Sequence, residues 1–244
     1  MLFKIADLTV AVDCSEKTLK EHIINYQVIE YGNPDIDLQR DSKVLRDLRE
    51  NYSYLTADEL EYTYTGYEFS NSLLDFNGFC LHASAISLDH NAILFSAPSG
   101  TGKSTHTGLW HNYFGNNRLI IINDDKPAIR YIEDYFYVYG TPWSGKCNLQ
   151  ADVKIPLKAI VFIKQSNRND IRRLDNREAV CSIMQNSIKP QGNRDKMNAL
   201  LDLHDAVVKR IPIYELSCNM SLEAVKLVYN TVFHKEQEVM RIEG

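Results

Sequence analysis

The sequence lacks any apolar run long enough to cross a bilayer. Stretches such as "AIVFI" fall far short of the ~20 residues that a membrane helix needs, so no membrane partner is expected. It has no cysteine spacing that does chemistry either. Cys14, Cys80, Cys147, Cys181 and Cys218 form neither a CxxC nor a Cys/His ligand pattern, and their odd number reads as free thiols in a reducing compartment. A basic excess is missing as well: 27 Lys and Arg against 32 Asp and Glu leave a net charge of −5. That balance excludes a general nucleic-acid or anionic-membrane surface, so any bound anion must be held locally. The start "MLFKIADLTVAVDCSEK" is interrupted by Asp7 and Asp13 and followed by no small-residue cleavage pattern, so no signal peptide is expected and a cytoplasmic protein is the default. There is no internal repeat, low-complexity tract or flexible linker.

What is present is ordinary globular composition, 44 % hydrophobic and 24 % charged over 244 residues. A single α/β domain over residues 1–244 is expected, in which residues 1 to about 60 form a smaller N-terminal part. Residues 2 to 12 alternate loosely as one strand, and "YGNPDIDLQRDSK" reads as a turn. Residues 15 to 31 have no clean period, and the Tyr-rich stretch 43 to 65 does not divide. Residues 68 to 78 have helical spacing and should end at Gly78 as a C-cap. "CLHASAIS" and "AILFS" read as strands about the turn "LDHNA", then "GKSTHTGLWHNYF" as a helix and "RLIIIN" as a buried strand. A hairpin about Glu133 and Asp134, the strands "PLKAIVFIK" and "IPIYELS", and helices near 177–187, 195–209 and 221–234 complete the reading.

The chemistry concentrates in "APSGTGKS", residues 97–104, which meets the phosphate-loop pattern G-x-x-x-x-G-K-[ST] everywhere except Ala97. Gly100 and Gly102 let backbone N–H groups turn inward around phosphate oxygens, and a helix beginning near Lys103 adds the positive end of its dipole. Lys103 supplies a charge for the β- and γ-phosphates, and the Ser104 hydroxyl a ligand for Mg²⁺ or Mn²⁺. ATP, or another purine nucleotide, is therefore expected on Ser99, Gly100, Thr101, Gly102, Lys103, Ser104 and Thr105. Alanine at 97 is tolerated unless that residue needs φ > 0. A phosphate loop needs a carboxylate, and the next strand ends in "NDDKP". Asp124 and Asp125 can divide the labour, one on the metal and the other taking a proton from an attacking hydroxyl.

Three linked motifs, "LHASAIS", "APSGTGKST" and "NDDKP", carry a resemblance to the HPr kinase/phosphorylases and to the nucleotide-binding core of the ATP-type phosphoenolpyruvate carboxykinases. It spans roughly residues 66 to 165. The resemblance implies a P-loop fold with a mixed sheet and flanking helices, and phosphoryl transfer from nucleotide to a hydroxyl on a protein, peptide or small molecule. Lys103 and Ser104 look like the phosphate and Mg²⁺ contacts, Asp125 like a metal carboxylate, Asp124 like the catalytic base. His82 matches a histidine that binds a second metal in the carboxykinases and sits beside the reacting phosphate in the kinases. A carboxykinase reaction is disfavoured, because "TYTGYEFSNSLLDFNGFC" lacks the lysine ligand those enzymes carry upstream of that histidine. A nucleotide-responsive binding protein without turnover is the rival from another class. Neither acceptor identity nor a homo-oligomer is fixed by the sequence.

Three further features have two readings. "GTPWSGK" either lies over the nucleotide or acceptor, with Lys146 adding charge, or is a surface turn with a half-buried Trp143. His106, one turn past Gly102, can face the site, whereas His111 reads as solvated. The arginines of "NRNDIRR" read as a polar loop.

Overall fold

The computed structural model describes residues 1–28, 32–38 and 42–234. Residues 2 to 12, expected as one strand, make an antiparallel hairpin of β1 (Leu2–Ile5) and β2 (Leu8–Val12), with Ile5 opposite Leu8. The turn falls on Ala6 and Asp7, with φ of 54° and 62°, the conformation that hairpin turns usually advertise with Asn or Gly. β3 (Ile36–Leu38) joins β2 in parallel inside the stretch expected as a turn.

Helices fill the segments that periodicity could not divide: α1 (Lys17–Ile23), α2 (Ser42–Asn51) and α3 (Ala57–Leu73). A capping box starts α3, where Thr56 accepts from the Glu59 N–H and Glu59 from the Thr56 N–H. Glu61 of α3 accepts from the backbone N–H groups of Ser15 and Glu16, just ahead of α1, and Asp58 from that of Thr18 in its first turn. The helix does not end at Gly78. Asn77 takes the left-handed conformation (φ 55°), and Gly78 opens β4 (Gly78–Cys80), where a Cβ would stand 2.7 Å from Arg130 Cγ.

The nine-stranded sheet continues with β5 (Ala83–Leu88), β6 (Asn91–Ser96), β7 (Leu119–Asn123), β8 (Ala128–Ile132), β9 (Tyr135–Tyr139), β10 (Lys154–Gln165), β11 (Asp170–Arg173) and β12 (Ile213–Cys218). Its path is β4-β8-β9-β10-β6-β5-β7, with β12 bridging β10 and β11. β10 is parallel to β6 and β12, antiparallel to β9. The central strands read as continuous apolar runs because both faces are covered. Leu94, Ile160 and Phe162 pack with Ile183 of α5 (Asn176–Asn186) and Leu200 of α6 (Arg194–Arg210). Ile93, Phe95 and Val161 pack with Trp110 of α4 (Lys103–Phe114) and Val225 of α7 (Leu222–Tyr229). The architecture is thus α/β, a mixed sheet flanked by helices. Among the described residues no helix is long and apolar enough to cross a membrane.

The small N-terminal sheet shares a third cluster with α3 and the hairpin β8–β9: Phe3, Val10 and Leu19 meet Phe69, Leu73, Tyr139 and Trp143. Polar ties reinforce it, since Asp7 accepts from Tyr139 Oη and Lys154 Nζ, each at 2.8 Å, and Arg130 donates to the Ala6 carbonyl at 2.7 Å. "NRNDIRR", expected as a loop, contributes edge strand β11, in which Arg172 pairs with Glu178 and Glu215.

Candidate functional site

Strand order assembles the site. β5 runs antiparallel to both neighbours, with Ala83 opposite Ser96 of β6 and Ala85 opposite Asn123 of β7. Its N-terminal end therefore meets the C-terminal ends of β6 and β7, so His82, the loop after Ser96 and the aspartates after Asn123 lie at one edge of the sheet. β10 ends there too, and Gln165 Nε2 donates to the Thr101 carbonyl at 3.2 Å.

Gly100 and Gly102 have φ of 79° and 106°, which only glycine adopts without strain. A Cβ at Gly100 would meet nothing within 4 Å, whereas one at Gly102 would stand 2.8 Å from Met220 Cε. Ala97 is buried and is not among the positive-φ residues, so the missing first glycine costs no backbone strain. Lys103, 7 % exposed, folds its ammonium into the loop and donates to the Ala97 carbonyl at 2.9 Å. Burial pulls its pKa down, and Asp125 and Asp124 oppose that pull. Pro98, Ser99 and Gly100 form an exposed rim, with Ser104 and Thr105 exposed on the first turn of α4.

The two aspartates have different surroundings. Asp124 Oδ1 accepts from Ser84 Oγ at 2.5 Å. Asp125 has Lys126 Nζ 2.6 Å from Oδ2 and His82 Nε2 3.4 Å from Oδ1. Asn123 fixes the turn between them: its Oδ1 accepts from the N–H groups of Asp125 and Lys126 while its Nδ2 donates to the Thr141 carbonyl. His82 is held through its backbone, its N–H on the Asn186 carbonyl and its carbonyl on Ser96 Oγ, both at 2.8 Å. Its ring is 34 % exposed. Burial lowers its pKa, with Lys103 adding to the effect and Asp125 opposing it, which favours a neutral imidazole over a fixed positive charge. The ring lines a cleft of about 520 Å³ with Pro98, Phe162, Lys164, Gln185 and Asn186.

The donors at this edge suit a phosphate-bound hard cation. Ser104 and Asp125 offer oxygen ligands. Among the described residues no group of three or more His, Cys, Asp or Glu is placed to hold a metal by itself. An ion here would draw the rest of its shell from phosphate oxygens and water, as Mg²⁺ commonly does.

Other expectations change. Trp143 is fully buried, stacks on Phe69 with centroids 4.7 Å apart and donates Nε1 to Thr65 Oγ1. "GTPWSGK" is thus not a surface turn with a half-buried Trp. It packs behind Asp125, where a Cβ at Gly145 would lie 3.2 Å from Asp125 Cβ, and Lys146 at its end is exposed. His106 does not face the site: it is buried against Phe95, accepts from Trp110 Nε1 at 3.1 Å, and burial lowers its pKa to about 4. His111 is half-buried and contacts Asn116. Sequence reasoning passed over Lys126, Ser84, Asn123 and Gln165. Asn123 and Lys126 stand inside the quoted motif "NDDKP", but the contacts of Ser84 and Gln165 depend on which segments the fold brings together.

A family model described as ScmC: SynChlorMet cassette protein ScmC matches residues 67–225. No curated protein matches the chain by sequence. Among solved structures, the chain is similar to the Hpr(Ser) kinase/phosphatase from Coxiella burnetii, at 9 % identity and a TM-score of 0.34, over 68 % of this chain and 99 % of that one.

Proposed function

The chain belongs to the family of the SynChlorMet cassette protein ScmC, and we propose that it is a nucleotide-dependent phosphotransferase. In this reading ATP with Mg²⁺ or Mn²⁺ is held by residues 97–105 and the γ-phosphoryl group passes to a hydroxyl of a protein, peptide or small molecule. The observation that carries it is the convergence at one sheet edge of Lys103, folded into an open glycine loop, with Asp124 and Asp125.

The loop N–H groups and Lys103 grip the β- and γ-phosphates, and Lys103 exchanges the Ala97 carbonyl for a phosphate oxygen. Asp124 takes the proton of the acceptor hydroxyl. The acceptor oxygen bonds to the γ-phosphorus as the bond from that phosphorus to the β,γ-bridging oxygen breaks, and ADP leaves. A divalent ion, when bound, neutralises charge on the transferring group; Ser104 and Asp125 would hold it. His82, neutral and beside Asp125, serves that ion or relays a proton.

Isothermal titration of Mg-ATP against wild type and Lys103→Ala tests the binding half; equal affinity in both, or none in either, rejects it. ADP release with hydroxyl-bearing peptides and metabolites tests transfer, which Asp124→Asn should abolish. One observation favours a second reading, a nucleotide-responsive binding protein: Lys126 already occupies one oxygen of Asp125. Slow ATP loss insensitive to Asp124→Asn, with no acceptor phosphorylated, would select it.

A further inference from the structure

The face of α3 that does not meet Trp143 borders a second concavity. Between α2 and α3 lies a groove of about 360 Å³ floored by Leu48, Leu55 and Leu60 and walled by Tyr64 and Tyr67. It shares no lining residue with the cleft at His82. Tyr52 and Tyr54 stand at its rim, 44 % and 77 % exposed, with rings edge to face at 6.2 Å. Aromatic rings gathered in this way on a surface mark a binding place more often than a packing accident.

Glu68 is the one charged side chain lining the groove. It is half-buried and has no ion-pair partner among the described residues, since nearby Lys196 is engaged by Asp75 and the Asn71 carbonyl. Withdrawing a carboxylate from water without a partner is unfavourable, and burial raises the Glu68 pKa, Lys196 opposing it. Helix α3 carries no Lys or Arg to neutralise Glu68. Tyrosine faces attract a guanidinium or ammonium through their quadrupole, a carboxylate pairs with it, and a leucine floor accepts apolar flanks.

We propose that this groove docks a peptide segment that presents an arginine or lysine between apolar side chains. The cation sits over the tyrosine rings and pairs with Glu68, and the flanking side chains cover Leu48, Leu55 and Leu60. The opposite face of α3 carries Tyr62, whose hydroxyl accepts from the Gly145 N–H beside Asp125. One helix thus joins the groove to the phosphate edge. Docking itself stands independently of the nucleotide reading.

The test uses the full chain and two dye-labelled peptides, Leu-Arg-Leu-Arg-Leu and Leu-Gln-Leu-Gln-Leu, read by fluorescence anisotropy. The arginine peptide should bind about tenfold or more tightly than its glutamine counterpart and weaken with added salt. Glu68→Gln should cost about tenfold in its affinity, and Tyr54→Ser, at a site too exposed to disturb folding, about threefold. Lys103→Ala should leave peptide binding unchanged, so failure of the nucleotide reading and failure of this one are told apart. Equal binding of the two peptides overturns the proposal, as does indifference to both groove variants. Sedimentation showing that Tyr54→Ser dissolves a dimer that the arginine peptide cannot disrupt would overturn it too, because a second copy would then be the occupant.

Discussion

Two segments of this chain look alike on paper, "SGTGK" ending at Lys103 and "WSGK" ending at Lys146, and the fold uses them in opposite ways. In the first, glycine serves the backbone: Gly100 and Gly102 take positive φ, a Cβ at Gly100 would touch nothing and one at Gly102 only the flexible end of Met220, and Lys103 is buried with its ammonium turned inward. In the second, glycine permits contact. A Cβ at Gly145 would lie 3.2 Å from Asp125 Cβ, and one at Gly140, just upstream in the same turn, 2.0 Å from the Ala151 carbonyl oxygen and 2.7 Å from that of Ile122; the lysine after Gly145 is exposed. A glycine-lysine turn is therefore a cradle or a plug according to what surrounds its backbone. The difference lies in the neighbours: Trp143 drives the plug into the interior against Phe69, whereas Pro98 and Ser99 leave the cradle open.

The comparison is broken most severely by giving the plug a side chain. Gly140→Ala should cost at least about 5 kcal/mol, since a backbone carbonyl cannot yield as a flexible side-chain end can. Trp143→Ala should cost about 4 kcal/mol from the lost stacking and the cavity left behind. In the cradle, Gly100→Ala should cost only about 1 kcal/mol, from the left-handed φ alone. Urea unfolding midpoints measure all three. If Gly100→Ala and Gly140→Ala proved equally destabilising, the distinction between the two segments would fail.

That distinction was only half legible in the sequence. The loop, its helix and the aspartates were readable because their spacing is local, and the "LDHNA" turn makes the β5–β6 pairing nearly obligatory. The hairpin about Glu133 and Asp134 was readable for the same reason, and both residues do take positive φ. Helix α3 was readable only over its end, residues 68–73, because packing on two faces hides its period before that: Thr65, Gly66 and Phe69 face Trp143, while Tyr64 and Tyr67 line the groove. β11 was hidden by its own charge. It is an edge strand whose Arg172 is stabilised by Glu178 and Glu215, partners four or more residues outside the local pattern. Lys126 at Asp125 is a neighbour in sequence and was open to reading, whereas Ser84 at Asp124 required knowing which strands lie side by side.

Two buried histidines make the fold sensitive to pH. His106 against Phe95 and His204 beside Ser187 are both fully buried, and burial, aided at His204 by Lys189, lowers each pKa to about 4. A free histidine titrates near 6.5, so the unfolded chain takes up these protons first as pH falls. The stability they protect is intact above the unfolded pKa of about 6.5 and is lost as pH drops towards about 4, at about 2 kcal/mol per histidine between pH 6.5 and 5. His82, also lowered, acts in the same direction. Urea midpoints measured across that range should fall steadily, and His106→Gln should flatten part of the slope. A stability that does not change between pH 7 and 5 would refute the assignment.

The smallest expected change in stability is at His82, and that is what makes it informative. Its ring is partly exposed at the cleft, its firm hydrogen bonds are made by its backbone, and its nearest charged partner, Asp125, is 3.4 Å away. His82→Gln keeps the backbone bonds and a polar side chain of similar reach, so the melting temperature should hold, with a change within about 0.5 kcal/mol. Nucleotide affinity should hold too, because the grip on the phosphates is made by the loop N–H groups and Lys103. Turnover with the acceptor should nevertheless fall by about a hundredfold, the usual weight of a positioned proton relay or metal ligand. A variant that melts early and retains its specific activity would return His82 to the scaffold, leaving the aspartates and Lys103 as the only chemistry at that edge.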